Sequence, residues 1–177
     1  MVKKILLALI AILALLAVVI AMRPAHFRIV RSTTVAAPMS TVFPLINDFH
    51  RWNTWSPWAK LDPTMKKSIE GPSAGVGSIY TWSGNNDVGE GRMTILESDP
   101  DQRVRIRLEF IKPFAATNLT ELTLRPEGSG TLVNWEMTGE NNFMSKAFDL
   151  FMNMDKTVGA DFEKGLAQLR TVAEQRQ

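Results

Sequence analysis

A serine nucleophile is the first chemistry the sequence offers. Gly71-Pro72-Ser73-Ala74-Gly75 fits G-x-S-x-G, a pattern that places serine on a sharp strand-to-helix turn with an acid and a histidine later in the chain. Here the residues that follow, Val76–Ser83, read as a strand, and both histidines, His26 and His50, precede Ser73. A hydroxyl with no base beside it is a weak nucleophile, so a hairpin turn is the better reading. Two histidines and no cysteine give no zinc spacing. Gly75-Val76-Gly77 and Gly89-Glu90-Gly91 neither open a helix nor carry a phosphate-binding lysine. Asn118-Leu119-Thr120 is formally a glycosylation sequon inside a strand pattern. No metal and no cofactor is expected.

Tyr80 and Asp155 are the remaining catalytic candidates. Acid–base catalysis needs a group that titrates near working pH, which an isolated tyrosine meets poorly. Asp155 and Asp161 fall at the edges of a helical apolar stripe, where surface ion pairing is the plainer role. Asp155 becomes a catalytic candidate only if it points inward.

Apolar residues speak more clearly than ionisable ones. Along 102–111, Val104, Ile106, Leu108 and Phe110 alternate with Arg103, Arg105, Arg107 and Glu109, the period-two signature of a half-buried strand. Phasing the neighbours in the same way turns Met93, Ile95, Val133, Trp135 and Met137 inward, with Tyr80 and Trp82 sharing that face. Glu90, Arg92, Asn134 and Glu136 then face out. The concave surface is aromatic and rich in methionine, and could adapt to an apolar ligand through Met93, Met137, Met144, Met152 and Met154. Trp52, Trp55 and Trp58 recur at spacing three; they either seal one end of the core or form the mouth of a cavity. Phe151 and Met154, from the helical stripe, complete the candidate ligand-binding set.

The elements that must carry these residues follow from the same patterns. A first strand covers 27–35, and Ser40 or Thr41 can cap a short helix bearing Val42, Phe43, Leu45 and Ile46, with Pro44 in its first turn. Six strands follow between Lys66 and Thr138, separated by turns too short for parallel crossovers. From Ser145 to about Glu174 one helix carries Ala147, Phe151, Met154, Val158, Phe162, Gly165, Leu169 and Val172 on a single face. A one-faced antiparallel sheet and a one-faced helix bury each other. The expected class is α+β, a helix-grip arrangement in which a curved antiparallel sheet of about seven strands wraps around a long C-terminal helix.

Ala37-Pro38 ahead of Val42-Phe43, then Trp52-x-x-Trp55-Ser56-Pro57-Trp58, resembles the START-like (SRPBCC) superfamily. Gly75-Val76-Gly77, Tyr80-x-Trp82, the Trp135 strand and Met154-Asp155-Lys156 are similar to its polyketide cyclase/dehydrase-like branch. The resemblance covers 27–174. It implies a helix-grip fold whose members range from lipid carriers to cyclases. A hydrophobic small molecule or lipid held between sheet and helix, without chemistry, is the leading expectation. A cyclase/dehydrase-like enzyme and a protein-docking module built on Trp52, Trp55 and Trp58 are the alternatives.

Residues 5–22 are 18 consecutive apolar residues, close to the length that crosses a hydrocarbon core. They exceed the usual h-region of a cleaved signal, which favours an uncleaved transmembrane helix in a bacterial inner membrane. Lys3 and Lys4 form a basic flank at 1–4, residues 23–26 a juxtamembrane linker, and 175–177 a tail. A basic flank close to the start favours the amino terminus inside and the domain on the periplasmic side, with a cytoplasmic domain as the alternative, since Arg23, Arg28 and Arg31 follow the helix. The net charge of +2 belongs to this flank: without Lys3, Lys4 and Arg23, 17 basic residues face 18 acidic ones. No basic face is left for nucleic acid. Lack of cysteine excludes a disulfide scaffold and a thiol enzyme.

Overall fold

Twenty consecutive residues, Val2–Ala21, form helix α1, about 30 Å long at the usual rise. The computed structural model describes residues 1–141 and 143–175, with all their side chains except those of residues 60, 148, 151 and 152. Nearly all of α1 is bare of protein contact, and Ile20 is its one buried residue. The helix takes in Lys3 and Lys4 and ends at Ala21, slightly earlier at both ends than the apolar run.

Beyond a short linker come β1 (His26–Val35), α2 (Met39–Asn47), α3 (Phe49–Trp52) and a 3-10 turn at Pro57–Lys60. Strands β2 (Lys66–Glu70), β3 (Ile79–Ser83), β4 (Glu90–Asp99), β5 (Arg103–Lys112), β6 (Ala116–Glu127) and β7 (Gly130–Glu140) follow, then α4 (Phe143–Met152) and α5 (Met154–Glu174). The seven strands form one antiparallel sheet in the order β1-β7-β6-β5-β4-β3-β2. Register shifts near Glu90/Gly91 and Ile95/Glu97 place irregularities in β4, a device that bends a strand and deepens sheet curvature. Helix α5 lies in the concavity, as a helix-grip arrangement requires.

Several local expectations change. The C-terminal helix is two helices, because Asn153 leaves helical geometry (φ 0°, ψ 91°) and its side chain caps α5 by accepting from the Lys156 N–H at 3.0 Å. Asparagine offers the backbone this alternative to a helical bond, and apolar periodicity runs through the break unmarked. Pro38, not Ser40 or Thr41, precedes α2, so Pro44 lies inside that helix and not in its first turn. Strand β3 begins at Ile79, not Val76, because Gly75 and Gly77 take positive φ (77° and 87°) in the preceding loop. The G-x-S-x-G stretch lies in this β2–β3 connection with no helix after it.

The inward rows divide the interior into two halves. Towards the end of the sheet at Val35, the row residues Val104, Ile106, Leu122, Leu124 and Val133 are fully packed against Val42, Leu45, Ile46, Leu166 and Leu169. Towards the other end, where α1 joins β1, the inward residues are Trp82, Met93, Leu108, Phe110, Asn118 and Met137, and the packing opens. Outward side chains pair by charge: Arg92 with Glu109 at 3.0 Å, Arg28 with Glu136 at 2.7 Å, and Arg105 with Glu97 at 3.1 Å.

Candidate functional site

Trp135 marks the boundary between the filled and the open halves. Its ring stacks on Phe162 of α5 at 4.1 Å and 6°, and takes edge contacts from Trp52, Trp55 and Trp58 at 6.3, 5.4 and 5.9 Å. Aromatic pairs favour such stacked and T-shaped geometries. Gly165 lets the Trp135 ring approach α5, since a Cβ there would lie 2.9 Å from it. The buried indole of Trp135 donates to Thr120 Oγ1 at 2.9 Å, and Thr120 passes a bond to the Glu136 carbonyl at 2.8 Å.

On the open side of this wall lies a cavity of about 240 Å³, just below the range of about 300–1,000 Å³ usual for small-molecule sites. Sheet residues Tyr80, Trp82, Met93, Leu108, Phe110 and Met137 form its floor. Met154, Val158, Asp161 and Phe162 of α5 form its roof. The mouth is built from two loops, through Trp52, Asn53, Ser56, Trp58, Ala59 and Met65 on one side and Asp87 and Val88 on the other. Asp62 ties these loops together: its carboxylate accepts from the Thr64 hydroxyl at 2.7 Å and from the Asn85 N–H at 2.8 Å. These bonds, the Thr64 hydroxyl first, hold its pKa below the ordinary aspartate value. Trp82 adds a bond from its indole to the Val88 carbonyl at 2.9 Å, and Gly91 leaves room beside it for the Trp82 ring.

Two buried polar side chains of the sheet reach the cavity without a hydrogen-bond partner among the described residues: Tyr80 and Asn118, each 8% exposed. They stand in one row across the sheet, Tyr80–Met93–Leu108–Asn118, so two apolar side chains separate them. Burial pushes the Tyr80 phenol up to about 12, and it is neutral at physiological pH. Gly139 makes space for Asn118, since a Cβ there would strike its Oδ1. An interior of this kind can desolvate an apolar body and offer hydrogen bonds to a neutral group. Among the described residues lining it, the titratable side chains are Tyr80, Asp87 and Asp161, and no two of these bond each other.

Most candidate residues meet at this cavity: Trp52, Trp58, Tyr80, Trp82, Met93, Phe110, Trp135, Met137 and Met154 all line it. Trp55 does not. It is fully buried behind Trp135, with its indole bonded to the Leu45 carbonyl at 2.8 Å. The three tryptophans lie on no common helix: Trp52 ends α3, Trp55 follows in a turn, and Trp58 sits in the 3-10 turn. Asp155 is outside the cavity, paired with Arg31 of β1 at 3.1 Å on the surface, because Arg31 folds against Gly159 and draws it there. Met144 is exposed, and the side chains of Phe151 and Met152 lie outside the described residues. Asn118, Thr120 and Asp161 were not among the candidates. Counting back from Leu124 and Leu122 in steps of two reaches Thr120 and Asn118, but their polarity argues for the solvent face. Inward phasing also buries the sequon.

A family model described as "Polyketide cyclase / dehydrase and lipid transport" matches residues 26–174. The chain belongs to this family. Its fold recurs in solved structures of low identity. A Chromobacterium violaceum protein is 18% identical with a TM-score of 0.60, over 85% of this chain and 98% of its own. A Mesorhizobium loti protein is 14% identical with a TM-score of 0.63, over 85% and 99%. The di-domain ARO/CYC StfQ from the steffimycin biosynthetic pathway is 10% identical with a TM-score of 0.62, over 86% of this chain and 52% of its own. At such identities the likeness shows the fold. A search of curated proteins finds no match to the chain. Within the polyketide cyclase/dehydrase family, the site observed here is the apolar cavity between sheet and α5.

Proposed function

We propose that this family member is a single-pass, membrane-anchored domain that binds a neutral hydrophobic molecule, a lipid or an aromatic compound, without transforming it. The cavity carries this reading: it is floored by methionine and aromatic side chains and has two buried, unpartnered neutral polar groups, Tyr80 and Asn118. Apolar burial supplies the gross driving force, roughly 25 cal/mol per Å² before ordering costs. Tyr80 and Asn118 favour a ligand with a hydroxyl or carbonyl over a pure hydrocarbon, because an unpaired buried polar group is costly. An anion is disfavoured, since nothing in the floor carries positive charge. Helix α1 supports the anchor through its length and apolar composition. Lys3 and Lys4 ahead of it favour a periplasmic domain on a bacterial inner membrane, although Arg23, Arg28 and Arg31 follow the helix.

The test uses the full chain in mild detergent with three probes of one ring system: 2-naphthol, naphthalene and 2-naphthoate. The thermal midpoint should rise most with 2-naphthol, less with naphthalene and least with 2-naphthoate. Tyr80→Phe combined with Asn118→Leu should remove the preference for 2-naphthol. No shift with any probe overturns the binding reading.

A further inference from the structure

The domain carries most of its exposed apolar side chains at one end. Beyond α1 and the adjoining Met22, the large hydrophobic residues exposed among the described side chains are Leu61, Val76, Leu96, Ile111, Phe114, Phe143 and Met144. Strand register locates them. His26 of β1 pairs with Glu140 of β7, Gly139 with Asn118 of β6, and Ala116 with Phe110 of β5. Ile111 and Phe114, at the β5–β6 turn, and Phe143 and Met144, at the start of α4, therefore share the end at which the chain leaves α1. Leu61 joins them, since its neighbour Asp62 is bonded to Asn85 in the β3–β4 loop at that same end. Five of the seven are gathered there. Phe114 is 70% exposed at a hairpin tip, where solvation of a phenyl ring has no structural return in water.

The connection to α1 is short and tied down. Four residues, Met22–Ala25, separate α1 from β1, at most about 14 Å of extended chain. Lys146 of α4 donates to the Ala21 carbonyl at 3.3 Å, Arg23 pairs with Asp149 at 3.4 Å, and Asn141 donates to the Pro24 carbonyl at 3.4 Å. If α1 spans a bilayer, α4 and the β5–β6 turn cannot stand far from its surface. The open half of the interior, with Phe110, Trp82 and Val88, lies at this end too.

We infer that this end of the domain is seated in the bilayer interface, with Phe114 and the Phe143–Met144 turn of α4 inserted among lipid headgroups. The inference rests on the anchored reading above and extends it. Apolar side chains at a helix start and hairpin tip bury to the headgroup–acyl boundary, and the tether makes that contact intramolecular, so modest apolar area is enough. The cavity mouth then faces lipid, and a hydrophobic ligand can enter without crossing water.

The chain has no cysteine, so one introduced thiol reports one place. The full chain is reconstituted in phosphatidylcholine/phosphatidylglycerol vesicles as four variants: Phe114→Cys, Met144→Cys, Leu13→Cys within α1, and Ser129→Cys in the turn at the far end. Each carries an environment-sensitive fluorophore and is read with and without nitroxide-labelled lipid. Labels at 114 and 144 should emit to the blue of the label at 129 and lose emission to the nitroxide, as the label at 13 does. Quenching at 13 with labels at 114 and 144 behaving like that at 129 overturns the seated domain and leaves the anchor standing. No quenching at 13 overturns the anchor, and this inference with it.

Discussion

In the proposed binding role, Tyr80 and Asn118 decide what kind of ligand the cavity takes. Both sit in an otherwise apolar row, and neither finds a partner among the described residues. For Tyr80 the consequence is measurable, because it is the chain's one tyrosine. Its phenol ionises at about 12 in the folded protein, raised by burial from an ordinary value near 10. Between these values the unfolded chain has lost this proton and the folded chain retains it. The contribution of Tyr80 to stability is thus complete below about pH 10 and is lost as pH rises towards 12. Absorbance at 295 nm should show no phenolate near pH 10 and a step near 12, moving back towards 10 in denaturant. A native step near 10 would mean that water fills the Tyr80 end of the cavity. Alternation in the sequence placed Tyr80 and its apolar neighbours correctly, while Asn118 was hidden because polarity and phasing gave opposite answers. Trp55 is the reverse case. Spacing alone cannot tell a cavity-lining ring from one packed a layer behind, since the difference lies in how Trp135 turns.

At the scale of elements, α5 works as a lid because two glycines set its distance from the sheet. Gly165 admits the Trp135 ring and Pro57, with a Cβ there 2.9 Å and 3.0 Å from them. Gly159 admits the Arg31 guanidinium, the mobile end of a long side chain that bonds Glu163 at 2.7 Å. Alanine at either site gains up to about 1 kcal/mol of helix propensity. At 165 the rigid aromatic wall cannot yield, and overpacking costs about 1–3 kcal/mol. Gly165→Ala should therefore lower the denaturation midpoint, whereas Gly159→Ala should leave it unchanged or raise it, with Arg31 swung aside. Equal effects in a chemical denaturation series would remove the wall from the account. The sheet and its sevenfold strand count were legible because most strands alternate and the turns between them are short. The α4–α5 break was not, because one capping side chain, Asn153, interrupts an apolar stripe that continues across it.

For the whole molecule, three features share one end: the close of α1, the exposed apolar residues of α4 and the β5–β6 turn, and the open half of the interior. The opposite end is packed solid around Val104, Leu122, Val133 and Leu169. The composition announced the long apolar helix and the neutral domain but could not locate the opening, since filled and open halves draw on the same residue types. A binding domain needs this asymmetry, with a solid half to fix the fold and an open half to admit a ligand. The most direct measurement is a native mass spectrum of the full chain released from mild detergent, beside Val158→Trp, which projects an indole from α5 into the cavity. The parent, purified as such or incubated with 2-naphthol, should carry one small apolar molecule per chain, and Val158→Trp should carry none. A bare parent, or adducts that persist unchanged in Val158→Trp, would contradict the claim that this cavity is a binding site.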